Sequence, residues 1–108
     1  MEKIVLVADR SEVVQKMAGE VLGSFGVSVI AAYEGGEVLP VVEERKPDLV
    51  LLETEIPGGD GYDLCARIKE TPEIAKIPVI LVGSFLHPLD EERVKRVAAD
   101  GRLTKPFN

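Results

Sequence analysis

The chain has no tryptophan, one cysteine, one histidine, two tyrosines and three phenylalanines, and its basic residues are outnumbered by acidic ones. With Cys65 alone, an intramolecular disulfide and a multi-cysteine zinc site are both excluded. His87 precedes Pro88 in a polar stretch with no second histidine or cysteine nearby, the setting of a surface residue and not of a ligand or a base. Tyr33, Tyr62 and the phenylalanines are too scattered to form a base-stacking platform. Thirteen Lys and Arg against nineteen Asp and Glu leave a net charge of −6. The one basic concentration, Arg93, Lys95 and Arg96, is broken by Val94 and preceded by Glu91 and Glu92, so direct nucleic-acid binding is not expected. No apolar run approaches the ~18 residues of a membrane span, and Met1-Glu2-Lys3 runs straight into a strand-like segment in place of a signal peptide. No membrane partner is expected, and a reducing cytoplasm is the expected compartment.

What is present has the makeup of one folded domain over residues 1–108. Hydrophobic residues at 45% and charged residues at 30% separate it from disordered chains, which cannot bury enough apolar surface. Apolar runs alternate with segments of helical period. Ile4 to Ala8 is a continuous apolar run ending at Asp9. Ser11 to Phe25 follows, with Val14, Met17, Ala18, Val21, Leu22 and Phe25 at helical spacing, Ser11 as N-cap and Gly26 as terminator. Val27 to Tyr33 is strand-like, and Glu37 to Arg45 reads as a helix whose start Pro40 should delay or distort. Asp48 to Leu52, ending at Glu53, reads as a strand buried on both faces. A loop rich in Gly and Pro, Thr54 to Gly61, leads to a helix near Tyr62 to Glu70 with Leu64, Cys65 and Ile68 inward. Pro78 to Val82, Asp90 to Ala98 and Arg102 to Thr104 give a strand, a helix and a last short strand. Cys65 reads as a small buried hydrophobe and Asp60 as turn or cap chemistry.

This alternation predicts an α/β doubly wound parallel sheet with right-handed crossovers. In such a sheet ligands gather beyond the carboxyl ends of the strands, at the switch point in strand order. Asp9 and Arg10 follow the first strand, Glu53 ends the third, Gly83 and Ser84 follow the fourth, and Lys105 follows the fifth. Four separated segments therefore converge on one edge.

Three pieces carry a family resemblance, in order and at consistent spacing: Pro47-Asp48-Leu-Val-Leu-Leu-Glu53 with Ile56-Pro57-Gly-Gly-Asp60-Gly61, then Pro78-Val-Ile, then Leu103-Thr-Lys105-Pro106-Phe107. From Lys3 to Phe107 the chain resembles a receiver domain of bacterial two-component response regulators. The resemblance implies a flavodoxin-like five-stranded sheet in order 2-1-3-4-5, with the fifth helix of such domains missing or truncated after Asn108. It also implies a cis bond before Pro106. Such a receiver needs two acids after the first strand, a phosphoacceptor Asp after the third, Ser or Thr after the fourth and Lys after the fifth. The carboxylates hold Mg²⁺, the metal and Lys neutralise the incoming phosphoryl group, and the hydroxyl binds one of its oxygens.

The set is incomplete here. Asp9 matches the first acid, but Arg10 stands at the second, and a guanidinium cannot coordinate a cation. Glu53 stands at the phosphoacceptor position, one methylene longer, which disturbs in-line geometry. Gly83 stands at the hydroxyl position with Ser84 one residue later, and Arg102 stands at the switch aromatic, where it cannot bury as Tyr or Phe would. Lys105 is retained. The residues leave open whether Arg10 enters the site to pair with Glu53 or swings outward.

The expectation is a degenerate receiver with no catalytic residues, no cofactor beyond weak Mg²⁺, and action by protein binding. The implied partners are a histidine kinase or an output domain, or a second copy joined through apolar surface that the absent helix would leave bare. Two other readings stand beside it. One is a phosphorylatable receiver in which Asp9, Glu55 and the main chain hold Mg²⁺ and Glu53 or a neighbour accepts phosphate. The other is a small-ligand or flavin-binding protein of the same topology, against which Asp9-Arg10-Ser11 replaces a phosphate-binding glycine turn.

Overall fold

A computed structural model describes residues 2–105 of the chain. The periodic segments become β1 (Lys3–Ala8), α1 (Glu12–Gly23), β2 (Val27–Ala32), α2 (Val38–Arg45), β3 (Leu49–Glu53), α3 (Gly61–Glu70), β4 (Val79–Ser84), α4 (Glu91–Arg96) and β5 (Gly101–Lys105). Every strand pair is parallel and the sheet runs β2-β1-β3-β4-β5. This is the flavodoxin-like order. The implied cis bond before Pro106 and the question of a further helix lie outside the described residues.

Local chemistry sets the ends of the elements. The Ser11 hydroxyl accepts from the Val14 N–H at 3.2 Å, and Asp60 and Asp90 cap α3 and α4 in the same way. A 3₁₀ turn, Gly35–Glu37, precedes α2. Pro40 then falls in the first helical turn, where its missing N–H has no intrahelical partner to lose, so the helix begins at Val38 and not at Glu37. α1 stops at Gly23, ahead of Gly26, which takes φ +77 in the turn into β2. α4 is shorter than the span from Asp90 to Ala98, because Asp90 is its cap and Ala98 lies at φ 60 beyond its end.

One face of the sheet is closed. Leu6, Val50, Leu52 and Leu81 pack with Val38, Val42, Cys65, Ile68 and Val94 of α2, α3 and α4, all buried. Among the described residues the other face carries α1 alone, and there the sequence pattern misleads. Met17 is 47% exposed and Val21 56%, because among the described residues no second helix lies beside α1 to cover them, and Phe25, beyond the end of the helix, is 78% exposed. The residue α1 does bury is Gln15. Its amide nitrogen lies 2.7 Å from the Val7 carbonyl, 3.1 Å from that of Asp9 and 3.2 Å from that of Ala32, tethering the helix to the carboxyl ends of β1 and β2. The apolar stripe instead lines an open groove of about 710 Å³ with Val7, Leu51, Leu103, Phe85 and Leu86. Leu49 and Leu51 are accordingly only half-buried, and β3 is fully covered on one face rather than two.

Candidate functional site

The strand register brings three carboxyl ends together. Ala8 pairs with Leu52, Glu53 with Val82, and Ser84 with Lys105, so Asp9, Glu53 and Lys105 lie at one edge of the sheet. Lys105 Nζ donates to Asp9 Oδ2 at 2.8 Å and to Glu53 Oε2 at 3.1 Å. Asp9 Oδ1 accepts from the Ser11 N–H at 2.8 Å. Glu53 Oε1 accepts from both the backbone N–H and the Nε of Arg10, each at 3.3 Å. The Arg10 Nη2 reaches on to the backbone carbonyl of Glu55. Arg10 thus enters the site, settling what its long side chain left open.

Two carboxylates therefore face two cations. Asp9 and Glu53 are 3% and 7% exposed, so each needs a compensating charge. Burial alone pushes the Glu53 carboxyl up. The Lys105 hydrogen bond, the Arg10 N–H and the charges of both cations outweigh it and hold the group below its ordinary value. For Lys105, burial pulls the ammonium down, but its hydrogen bonds to Asp9 and Glu53 and their charges raise it above the ordinary lysine value. All four oxygens of the two side chains are engaged.

The remaining predicted positions stay out of this cluster. Gly83 has no side chain, and the segment after it folds down onto the strand: a Cβ there would lie 2.8 Å from Leu89 Cγ and 3.1 Å from the His87 carbonyl. The Ser84 hydroxyl accepts from the His87 N–H at 3.0 Å, within its own loop. Arg102 pairs with Glu91 of α4 at 3.0 Å, on the sheet face opposite the one that Lys105 and Leu103 share. The Glu55 side chain points to His87 Nδ1 at 3.9 Å, so only its carbonyl belongs to the site. Among the described residues no cluster of three or more His, Cys, Asp or Glu could hold a metal ion. Cys65 is buried, and burial pushes its thiol up to about 11, which makes it inert.

Two contacts near the site had no sequence signature. Gln15 is a polar residue whose tether depends on the neighbouring strand carbonyls. Arg93 stacks 4.0 Å over the Tyr62 ring and bonds Asp60 at 3.2 Å, while the Tyr62 hydroxyl accepts from the Asp90 N–H at 2.9 Å. This clasp ties the start of α3 to the start of α4 below the site. Only the cap character of Asp60 was legible in the sequence, where Asp90 reads as the first residue of the helix it in fact caps.

Comparison with known proteins gives a consistent answer. The chain is 36% identical over 101 residues to the gliding motility regulatory protein of Myxococcus xanthus, covering 94% of this chain but only 13% of that protein. It is 29% identical over 108 residues to the polar-differentiation response regulator DivK of Brucella anthropi, covering all of this chain and 88% of that one. A response regulator of Chloroflexus aurantiacus superposes with a TM-score of 0.90 at 27% identity, over all of this chain and 88% of the other. The receiver domain of a histidine kinase from Syntrophus aciditrophicus gives 0.87 at 28% identity, over 98% and 80%. Residues 5–108 match the response regulator receiver domain, and the chain belongs to that family, the receiver module of two-component signalling.

Proposed function

We propose that this receiver transmits its signal by binding protein partners of a two-component pathway, without taking a phosphoryl group at the position of Glu53. The observation that supports this reading is the state of the Glu53 carboxylate. A phosphoacceptor attacks through a carboxylate oxygen with a free lone pair directed at phosphorus. Here Oε1 accepts twice, from the backbone N–H and the Nε of Arg10, Oε2 accepts once from Lys105, and the lowered pKa marks a carboxylate whose charge is already balanced, which weakens it as a nucleophile. The hydroxyl that would read out a phosphoryl oxygen is missing at Gly83, and Ser84 is committed to its loop. A longer carboxylate standing in for a phosphorylated Asp is a weaker reading for the same reason.

Incubation with a small acyl phosphate and Mg²⁺, followed by intact-mass measurement, tests the proposal. The expected result is no added phosphoryl group. Incorporation that disappears in Glu53→Ala would overturn it and restore a phosphorylatable receiver. Partners drawn from the histidine kinases or output domains of such pathways follow from the family, and their recognition should survive Glu53→Gln wherever the fold does.

A further inference from the structure

The family implies a divalent cation beside the acids after β1 and β3, and the residues here do not fit one. Mg²⁺ demands near-octahedral oxygen ligands and no cationic neighbour among them. Each oxygen of Asp9 accepts one hydrogen bond, from the Ser11 N–H and from Lys105, while Glu53 Oε1 accepts two from Arg10 and Oε2 one from Lys105, so a Mg²⁺ ligated here would share its oxygens with the donors of two cations. The Glu55 carbonyl, the nearest main-chain donor, is taken by Arg10 Nη2. The two carboxylates already balance the two cations, so an added Mg²⁺ would leave an excess of two positive charges in a partly buried pocket.

We propose that Arg10 is the resident cation of the site, a covalently fixed replacement for a divalent ion. Its guanidinium joins the carboxylate at the end of β3 to the carbonyl two residues on, so the pocket reaches neutrality with no metal and does not respond to Mg²⁺. The side chain is 49% exposed, yet three donors of one residue, the backbone N–H, Nε and Nη2, are used on two acceptors. A loop arginine with no role at the site would not be held in this way. Replacing the guanidinium with a carboxylate recreates the opposite situation: Asp9, the new acid and Glu53 then face Lys105 alone, a net charge of −2 that one divalent cation would balance.

The inference rests on the receiver reading, but the two fail separately. Acyl-phosphate labelling of Glu53 sinks the proposed function whatever the metal does. A metal response in the parent chain sinks this inference whether or not labelling occurs.

The experiment is a titration of the parent chain and Arg10→Asp with Mg²⁺ alone, following thermal unfolding and backbone amide spectra. The parent should show no change in Tm and no saturable shift at residues 9, 10, 53 and 55. Arg10→Asp should unfold at lower temperature in chelator, regain Tm as Mg²⁺ is added, as expected of a ligand that binds only the folded state, and show saturable shifts at those amides. Saturable shifts at those positions in the parent overturn the proposal, as does a folded Arg10→Asp chain that gains no response. Should Arg10→Asp stay unfolded at every Mg²⁺ concentration, Arg10→Gln and Arg10→Lys decide. A lower Tm for Gln than for Lys supports a required cation, and equal Tm for Gln and the parent overturns it.

Discussion

Glu53 and Lys105 set opposite limbs of the pH response. The folded-state pKa of Glu53 is lowered, so its contribution is present above the unfolded value and is lost as pH falls through the folded one. That of Lys105 is raised, so its contribution is complete below the unfolded value and is lost as pH rises through the folded one. A plot of Tm against pH should therefore be flat through neutrality, falling below the ordinary glutamate value of about 4.3; on the alkaline side it should fall first above the ordinary thiol value of about 8.5, because the buried Cys65 thiol is held up to about 11, and further above the ordinary lysine value of about 10.4. Glu53→Gln sets an amide donor against two cations. It should cost about 1.5–3 kcal/mol at neutral pH by urea denaturation, and it should blunt the acid limb. At this scale the sequence was half legible. Asp9, Glu53 and Lys105 could be placed together because strand order alone brings their backbones to one edge. The position of a flexible guanidinium, and the use of a backbone carbonyl at Glu55, depend on geometry that no spacing encodes.

At the scale of elements, the segment from Phe85 to Asp90 owes its position to Gly83. The Ser84 N–H donates to the His87 carbonyl at 3.0 Å, the His87 N–H returns to the Ser84 hydroxyl, and Leu89 lies against the bare Cα of Gly83. Gly83→Ala would push into Leu89 Cγ and the His87 carbonyl. It is expected to cost about 1–3 kcal/mol through overpacking, read from the urea midpoint, with amide shifts confined to residues 84 to 90. Gly61 is tighter still. A Cβ there would lie 2.4 Å from the Glu53 carbonyl oxygen and 2.7 Å from Thr54 Cα, so the start of α3 presses directly on the strand end that carries the site. The existence and type of each element were readable from apolar period, since every strand lies inside a parallel sheet and every helix is a crossover. The ends were not, because caps, the 3₁₀ entry to α2 and the left-handed residues Lys46 and Ala98 decide them locally. The direction of the α1 stripe was not readable either, since apolar spacing names a face without naming what lies opposite.

Across the whole molecule, apolar surface is unevenly distributed. Val13, Met17, Val21, Phe85, Leu86 and Leu103 are all at least 44% exposed, and all six line the groove beside α1. A contiguous patch of this kind exceeds what scattered surface hydrophobes give. The 108-residue chain should bind an apolar fluorescent dye while fully folded, and Met17→Lys should reduce the signal without lowering Tm by more than a degree or two; unchanged fluorescence would place the dye elsewhere. The ion-pair cluster has a longer reach. Lys105 and Asp9 are separated by 96 positions, and the contact exists only once β5 has docked beside β4. Long-range pairings of this kind form late, because loop closure must be met first. During synthesis from the amino terminus, the carboxylates of Asp9 and Glu53 are made long before the ammonium that joins them, and through that interval Arg10 is the one cation of the finished cluster already in the growing chain.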